Sequence, residues 1–169
     1  IQQKQEKYAL AMEDFVDVLK IKSDYTALYN KGLCEYKLEK YQEAITSFTE
    51  ALNLNLSKPE IFENRAKCYL KIQKYQEAIA DLSAAIKLNP SVAEYYYYRA
   101  YAKMEMNDLN GANTDYALAL HINPSHEPSM KNKAITSLQL LKYDDAIVDF
   151  TNLIKLNAND ETYYLNRGI

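Results

Sequence analysis

Two cysteines and two histidines are the side chains of this chain best suited to redox or metal chemistry. Cys34 and Cys68 form neither a CxxC pair nor a disulfide framework, which favours a reducing compartment. His121 and His126 flank the loop around Pro124, and two imidazoles beside one turn could touch a metal ion, but no third ligand is indicated. We therefore predict that the histidines lie at the surface and that the chain has no metal site.

Motifs for catalysis or cofactor binding are also missing from the sequence. Gly32, Gly111 and Gly168 stand alone, so no Gly-rich phosphate loop occurs, and neither HExxH nor GxSxG is present. Asp144 and Asp145 fall early in a predicted helix, where they favour the helix dipole rather than acid–base catalysis. The sequence therefore predicts a protein that is not an enzyme and needs no cofactor.

A repeat of 34 residues runs through the chain. Five segments align, at 7–15, 40–48, 74–82, 108–116 and 142–150. Their central alanines are Ala11, Ala44, Ala78, Ala112 and Ala146. The first step is 33 residues and the next three are 34, and such a fixed period is the mark of a repeat architecture.

Other columns of the repeat indicate paired helices. Small residues recur at Gly32, Ala66, Ala100, Ala134 and Gly168, and large ones at Phe15, Phe48, Leu82, Tyr116 and Phe150. Apolar positions three and four apart predict two helices per repeat, whose faces are buried only when repeats stack. We expect the small residue of the first helix to face the alanine of the second. Cys34 and Cys68 share one repeat position, which indicates small core residues.

These columns resemble tetratricopeptide repeats (TPRs), and the resemblance covers the whole chain. It implies an all-α fold, an α-solenoid in which antiparallel helix pairs form a right-handed superhelix. The implied single array over 1–169 comprises the end of a repeat at 1–24, full repeats at 25–58, 59–92, 93–126 and 127–160, and the start of a helix at 161–169. Ile1 and Ile169 look internal, so we interpret the chain as a piece of a longer one.

The resemblance also implies a concave groove lined by the first helix of each repeat, helix A. Its sixth position reads Asn30, Asn64, Tyr98, Asn132 and Asn166. A carboxamide can donate to and accept from the backbone of an extended peptide, and related ladders hold peptides in some TPR proteins. The alternative is that these amides bond neighbouring helix backbone or face water.

Further groove residues are predicted around this ladder, namely Tyr29, Lys67, Tyr97, Tyr101 and Lys131. Tyrosine is a typical interface anchor, with a large apolar ring and a polar hydroxyl group. In the run of four tyrosines at 95–98, helical geometry predicts that Tyr96 lies in the core and that Tyr97 and Tyr98 face the groove.

One known TPR mode grips the terminal carboxylate of chaperones with lysine, arginine and asparagine side chains. Starting from the first full repeat, the matching positions here hold Tyr29, Leu33, Asn64, Glu94 and Tyr98. No register through the chain supplies the cations. We therefore expect no chaperone binding by a carboxylate clamp within this segment.

Bases and acids occupy two further columns. The bases are Lys31, Arg65, Arg99, Lys133 and Arg167. The acids are Asp14, Asp81, Asp115 and Asp149, interrupted by Ser47. We expect them to pair between helices and fix the register, rather than form an anion-binding ladder.

The charge and hydropathy of the sequence limit the classes of partner that the chain can bind. A net charge of −3 argues against a nucleic-acid groove, no apolar run is long enough to span a membrane, and no signal peptide is visible. We predict a non-catalytic scaffold of the cytoplasm that binds a partner peptide or helix in the groove. The alternatives are a structural spacer in a multiprotein complex that uses convex or edge surfaces, and the substrate-recruiting arm of an enzyme whose catalytic domain lies elsewhere.

Overall fold

A computed structural model describes residues 2–168 of the chain, and the side chains of residues 5–168. The helices are α1 (Gln2–Ile21), α2 (Tyr25–Lys37), α3 (Tyr41–Leu54), α4 (Pro59–Lys71), α5 (Tyr75–Leu88), α6 (Ala93–Glu105), α7 (Leu109–Ile122), α8 (Glu127–Gln139), α9 (Tyr143–Leu156) and α10 (Glu161–Arg167). The described residues include no β-strand, so the predicted all-α class is confirmed. The interpretation of Ile1 and Ile169 as internal falls outside the described residues.

The chain divides into two compact units, Ile1–Pro90 and Ser91–Ile169. Within each unit, helices that follow one another in the chain pack together, as α2 packs on α3 and α6 packs on α7. Short connections make such neighbours antiparallel. The helices α2, α4, α6, α8 and α10 are the A helices of the repeat, and the others are its B helices. The repeat boundaries stay a prediction.

Each turn from an A helix to a B helix contains one residue in the left-handed region. The φ angles of Glu39, Gln73, Asn107 and Leu141 are 62°, 59°, 63° and 60°. The next N–H group then reaches back five residues, as when Lys40 donates to the carbonyl of Glu35 at 2.9 Å. This pattern satisfies carbonyl groups that the end of a helix leaves unpaired. The left-handed conformation costs free energy for most residue types, less for asparagine, and almost nothing for glycine.

Prolines and capping side chains lie at the beginnings and just beyond the ends of several helices. Pro59 is the first residue of α4, where its missing N–H costs no hydrogen bond. Pro90 and Pro124 lie two residues beyond the ends of α5 and α7. At the start of α2, Asp24 accepts hydrogen bonds from the N–H groups of Thr26 and Ala27, at 2.8 and 3.0 Å. These hydrogen bonds lower the pKa of Asp24.

The core of unit 1 lies between α2, α3 and α4. Leu28, Phe48, Leu52 and Ile61 are buried there. A Cβ atom added to Gly32 would meet the Phe48 ring at 2.7 Å. The small column thus makes room for the large column at this position, and our expectation that the small residue faces the alanine stays a prediction.

The core of unit 2 is built from the same columns. Tyr116, Phe150 and Leu153 are almost fully buried. In the run of tyrosines, Tyr95 is the buried member at 4% exposure, whereas Tyr96 is half-buried and lies near the Arg99 guanidinium, 5.6 Å from its ring centre. The prediction that Tyr96 lies in the core is therefore wrong by one residue, which is a rotation of about 100° around the helix.

Ion pairs join the two helices of a repeat, as predicted. The pairs are Arg65–Asp81, Arg99–Asp115 and Lys133–Asp149, each with a closest nitrogen–oxygen distance of 2.7 Å and a spacing of 16 residues. Where Ser47 interrupts the acidic column, Lys31 pairs instead with Glu35 at 2.8 Å, and the Ser47 hydroxyl donates to the same carboxylate at 2.6 Å. Glu35 is buried, and the columns of the repeat did not predict it as the replacement acid.

Candidate protein-binding surface

The predicted ladder residues lie on the A helices, in the same register of each. Within unit 1 helix α2 contacts α4, and within unit 2 helix α6 contacts α8. The side chains are all half-buried, and they are Asn30 and Asn64 in unit 1 and Tyr98, Asn132 and Asn166 in unit 2. Half-burial leaves each one partly open to a ligand.

The amide of Asn64 is held by its own helix and by the neighbouring one. Its Nδ2 donates to the carbonyl of Glu60 at 2.8 Å and to the hydroxyl of Tyr29 at 3.2 Å. Both N–H groups are therefore used, and no described residue donates to its Oδ1. Asn64 thus presents an acceptor only, whereas the sequence argument expected a donor together with an acceptor.

The other ladder amides differ in their hydrogen-bond partners. Asn132 donates to the hydroxyl of Tyr116 at 3.3 Å, and Asn166 donates to the carbonyl of Thr162 at 2.8 Å. The side-chain amide of Asn30 makes no hydrogen bond with any described residue. None of the hydrogen bonds of Asn64, Asn132 and Asn166 goes to the backbone of a neighbouring helix, so both readings of the ladder stay predictions. These bonds leave the Oδ1 atoms without a donor from the described residues.

Tyr29 links the core of unit 1 to this surface. Its ring centre lies 5.9 Å from that of Phe48, and its hydroxyl accepts the hydrogen bond from Asn64. Burial raises the pKa of Tyr29, and the carboxylates of Glu60 and Glu63 raise it further. The phenol therefore stays neutral and keeps its own O–H as a donor.

Tyr97 is the centre of an aromatic cluster in unit 2. Its ring centre lies 5.1 Å from Tyr98, 6.1 Å from Tyr116 and 5.2 Å from the His126 imidazole. Edge-to-face and tilted contacts of this kind are favourable arrangements of aromatic rings. Tyr101 is half-buried one turn further along α6. The predicted aromatic patch is thus a packed group of rings rather than a row of separate side chains.

His126 has a structural role that the sequence analysis missed. It caps α8, because its Nδ1 accepts from the N–H of Ser129 at 3.3 Å and lies 2.7 Å from the Ser129 hydroxyl. It is half-buried against Tyr97, so its prediction as a plain surface residue is wrong. The available signal was its place before Glu127 and Pro128, where a helix begins and a cap is needed.

The two predicted groove lysines are engaged with neighbouring side chains. Lys67 pairs with Glu63, one turn earlier on α4, at 2.5 Å. The exposed Lys131 lies 6.0 Å from the ring centre of Tyr163, whose hydroxyl donates to Glu127 at 2.7 Å. The absence of a carboxylate clamp stays a prediction.

The cysteines are buried, as predicted. Cys34 and Cys68 are 7% and 0% exposed, and they are free thiols. Burial raises the pKa of Cys68 to about 12, and the nearby Glu35 carboxylate contributes to the rise. A thiol with so high a pKa is a poor nucleophile at physiological pH.

We expect Cys68 to react with the thiol reagent DTNB about 1,000-fold more slowly in the folded protein than in urea. A pKa of about 12 leaves roughly a thousandth of the thiolate that the usual value of 9 allows. The measurement is the rate of thionitrobenzoate release from a Cys34→Ala variant, in which Cys68 alone reacts. Equal rates in the folded and unfolded protein would show that Cys68 is accessible.

The described residues offer no evident metal site and no membrane-spanning helix. Among residues 2–168, no three His, Cys, Asp or Glu side chains are grouped to hold a metal ion. None of the helices described here combines the length and the apolar character needed to cross a bilayer.

Comparison with known families identifies the repeat. A sequence model of the tetratricopeptide repeat matches residues 25–57 and 59–92. Residues 25–92 contain two tetratricopeptide repeats. Both matched TPRs lie in unit 1, and they span α2 to α5, with the ladder residues Asn30 and Asn64 on their A helices. No curated protein matches the sequence significantly.

Solved TPR structures share the fold of the chain. MamA has a TM-score of 0.88 at 20% identity, over 96% of this chain and 95% of its own. A TPR protein from Parabacteroides merdae has a TM-score of 0.77 at 26% identity, over 98% and 71%. The first TPR of Spaghetti (RPAP3), bound to the HSP90 peptide SRMEEVD, has a TM-score of 0.68 at 28% identity, over 71% and 96%. These similarities support the predicted TPR-like α-solenoid class.

Proposed function

We propose that this TPR chain is a non-catalytic protein-binding module, which holds an extended segment of a partner protein on its A helices. The proposal applies to each unit by itself, with α2 and α4 as the binding helices in unit 1 and α6 and α8 in unit 2. The partner is a protein, and the binding residues are the ladder amides together with the tyrosines beside them.

The observation that carries the proposal is the fixed orientation of Asn64 and Asn132. Each amide is tied through its Nδ2 to a tyrosine hydroxyl, while its Oδ1 receives no hydrogen bond from the described residues. Such an oxygen can accept from the backbone N–H of an extended peptide whatever the peptide's side chains are. Because the amide is already ordered, binding costs less side-chain entropy.

The similarity to the first TPR of RPAP3 supports a peptide as the partner. That protein is bound to the HSP90 peptide SRMEEVD, and it is 28% identical to this chain. In this chain, the predicted groove lysine of α4, Lys67, is already paired with Glu63. We therefore propose a peptide held through its backbone and not through its terminal carboxylate.

We expect the double change Asn64→Ala and Asn132→Ala to weaken peptide binding about 2- to 10-fold per lost hydrogen bond. The ligand is a peptide selected from a random library displayed on phage, and calorimetry measures its affinity. Asn110→Ala is the matched control, because Asn110 is exposed on the B helix α7.

Thermal unfolding of each variant checks that the fold persists. An unchanged affinity in the double variant would refute the role of the ladder amides. Failure to select any peptide with the wild-type chain would refute the proposed function itself.

A second candidate function is that of a scaffold whose partner binds to the B helices. Ile147 and Val148 on α9 are 46% and 58% exposed, although both are apolar. Exposed apolar side chains on a B helix fit a partner that avoids the A-helix surface. Crosslinks from a bound partner to α9, with α6 and α8 unmodified, would favour this candidate over the first.

A further inference from the structure

One side of α6 combines tyrosine rings with carboxylates. Glu94, Tyr98, Tyr101 and Glu105 follow one another at steps of three or four residues, and Tyr97 lies three residues after Glu94 and four before Tyr101. All five therefore lie on one side of the helix, which we call the tyrosine face. Both glutamates are exposed, and the three tyrosines are half-buried.

The cations of α6 point elsewhere. Arg99 donates two hydrogen bonds to the Asp115 carboxylate on α7, at 2.7 and 2.8 Å. Lys103 lies 2.7 Å from Oδ2 of the same carboxylate, the oxygen that also accepts from Arg99 Nε. The tyrosine face therefore carries two negative charges and no positive charge from its own helix.

The rings of this face are ordered by packing. Tyr97 contacts Tyr98, Tyr116 and His126, and His126 is itself held in place as the cap of α8. Burial raises the pKa of Tyr97, so the phenol is neutral at physiological pH. A neutral phenol ring can attract a cation to its face. A platform that is ordered before binding loses little entropy when a ligand docks.

Carboxylates and ring faces both favour a cationic ligand. Ring faces carry negative electrostatic potential, and arginine side chains stack on them readily. Unit 2 already contains such contacts, since Arg99 lies 5.6 Å from the Tyr96 ring centre and Lys131 lies 6.0 Å from that of Tyr163. Charge complementarity therefore selects a basic partner for this face.

We propose that the tyrosine face of α6 binds a basic, arginine-containing segment of a partner protein. The inference rests on the proposed function and adds the chemical class of the segment. Glu94 and Glu105 are separated by 11 residues of helix, which is roughly 16 Å. An extended chain covers that distance in about five residues, so the face fits two arginines spaced about five apart.

The test uses a blocked, fluorescein-labelled peptide with arginines at its first and sixth positions and alanine and serine between them. Its matched partner carries glutamates at the same two positions. Fluorescence anisotropy at low and high salt measures binding to the whole chain. We expect the arginine peptide to bind, the glutamate peptide not to bind, and salt to weaken binding because the ion pairs are exposed.

Two variants locate the site. We expect the double change Glu94→Gln and Glu105→Gln to weaken binding of the arginine peptide about fivefold, and Tyr98→Leu with Tyr101→Leu to weaken it about tenfold. The control is Asp144→Asn with Asp145→Asn, which removes two exposed carboxylates of unit 2 from α9 and should change the affinity little.

Equal binding of the glutamate peptide, or unchanged affinity in both face variants, would overturn the proposal. The phage selection separates this failure from that of the proposed function. Selected peptides that bind the ladder residues but contain no basic residue would refute the tyrosine-face proposal alone. A selection that recovers no peptide would refute the proposed function as well.

Discussion

Replacing Phe48 with alanine lowers the free energy of unfolding by about 3–5 kcal/mol, the range for truncation of a buried aromatic residue. The Phe48 side chain is 0% exposed and lies between α2 and α3. Gly32 packs directly against its ring, and Tyr29 lies beside it with a ring-centre distance of 5.9 Å. The helices cannot close fully around an alanine, so the variant keeps a cavity as well as losing the buried apolar area.

Urea unfolding followed by circular dichroism measures this loss. Phe48→Leu should be milder, because Leu82 fills the equivalent position of the next repeat at 0% exposure. Val148→Ala is the surface control, since Val148 is 58% exposed, and it should change stability by less than about 0.5 kcal/mol. A loss below about 1 kcal/mol for Phe48→Ala would contradict the packing described for unit 1.

Replacing Asp115 with alanine lowers the free energy of unfolding by about 3–5 kcal/mol, the range for removal of one partner from a buried ion pair. The Asp115 side chain is 2% exposed and receives both Arg99 and Lys103. Without the acid, two half-buried cations lose the carboxylate that they share. Their repulsion and incomplete solvation together destabilise the contact between α6 and α7.

A surface pair provides the matched control for Asp115. Asp17 and Lys20 form an ion pair whose side chains are 72% and 71% exposed, so Asp17→Ala should cost less than about 1 kcal/mol. Replacing Arg99, Lys103 and Asp115 together by Met, Met and Leu should restore most of the stability, because apolar replacement of a complete buried ion network is often neutral. Equal losses for Asp115→Ala and Asp17→Ala would contradict the role of the buried acid.

The period of the sequence predicted the fold well because burial repeats with it. The buried alanines, the large column and the ion pairs all follow from residues that recur every 34 positions. Tyr95 and Tyr96 show the limit of this method. Four consecutive tyrosines have no contrast in polarity, so only the packed structure distinguishes the buried ring from its neighbour.

The positions of the ladder residues on the A helices were predictable, but the hydrogen-bond partners of their amides were not. The periodic asparagines indicated the surface, yet the partners of their amides come from other columns, as Tyr29 does for Asn64 and Tyr116 does for Asn132. Those bonds depend on where side chains meet across helices, which periodicity does not specify. They turn Asn64 from a donor and acceptor into an acceptor alone.

The 16-residue spacing of the ion pairs has an evolutionary consequence. Arg65 and Asp81 lie 16 residues apart, within one helix pair of a repeat that is 34 residues long. Any duplication or deletion of whole repeats that begins and ends in the connecting loops therefore carries both codons together. The bond between Tyr29 and Asn64 spans 35 residues and therefore needs two adjacent copies. Recombination can thus change the number of copies without separating an acid from its base, while the ladder bonds depend on which copies become neighbours.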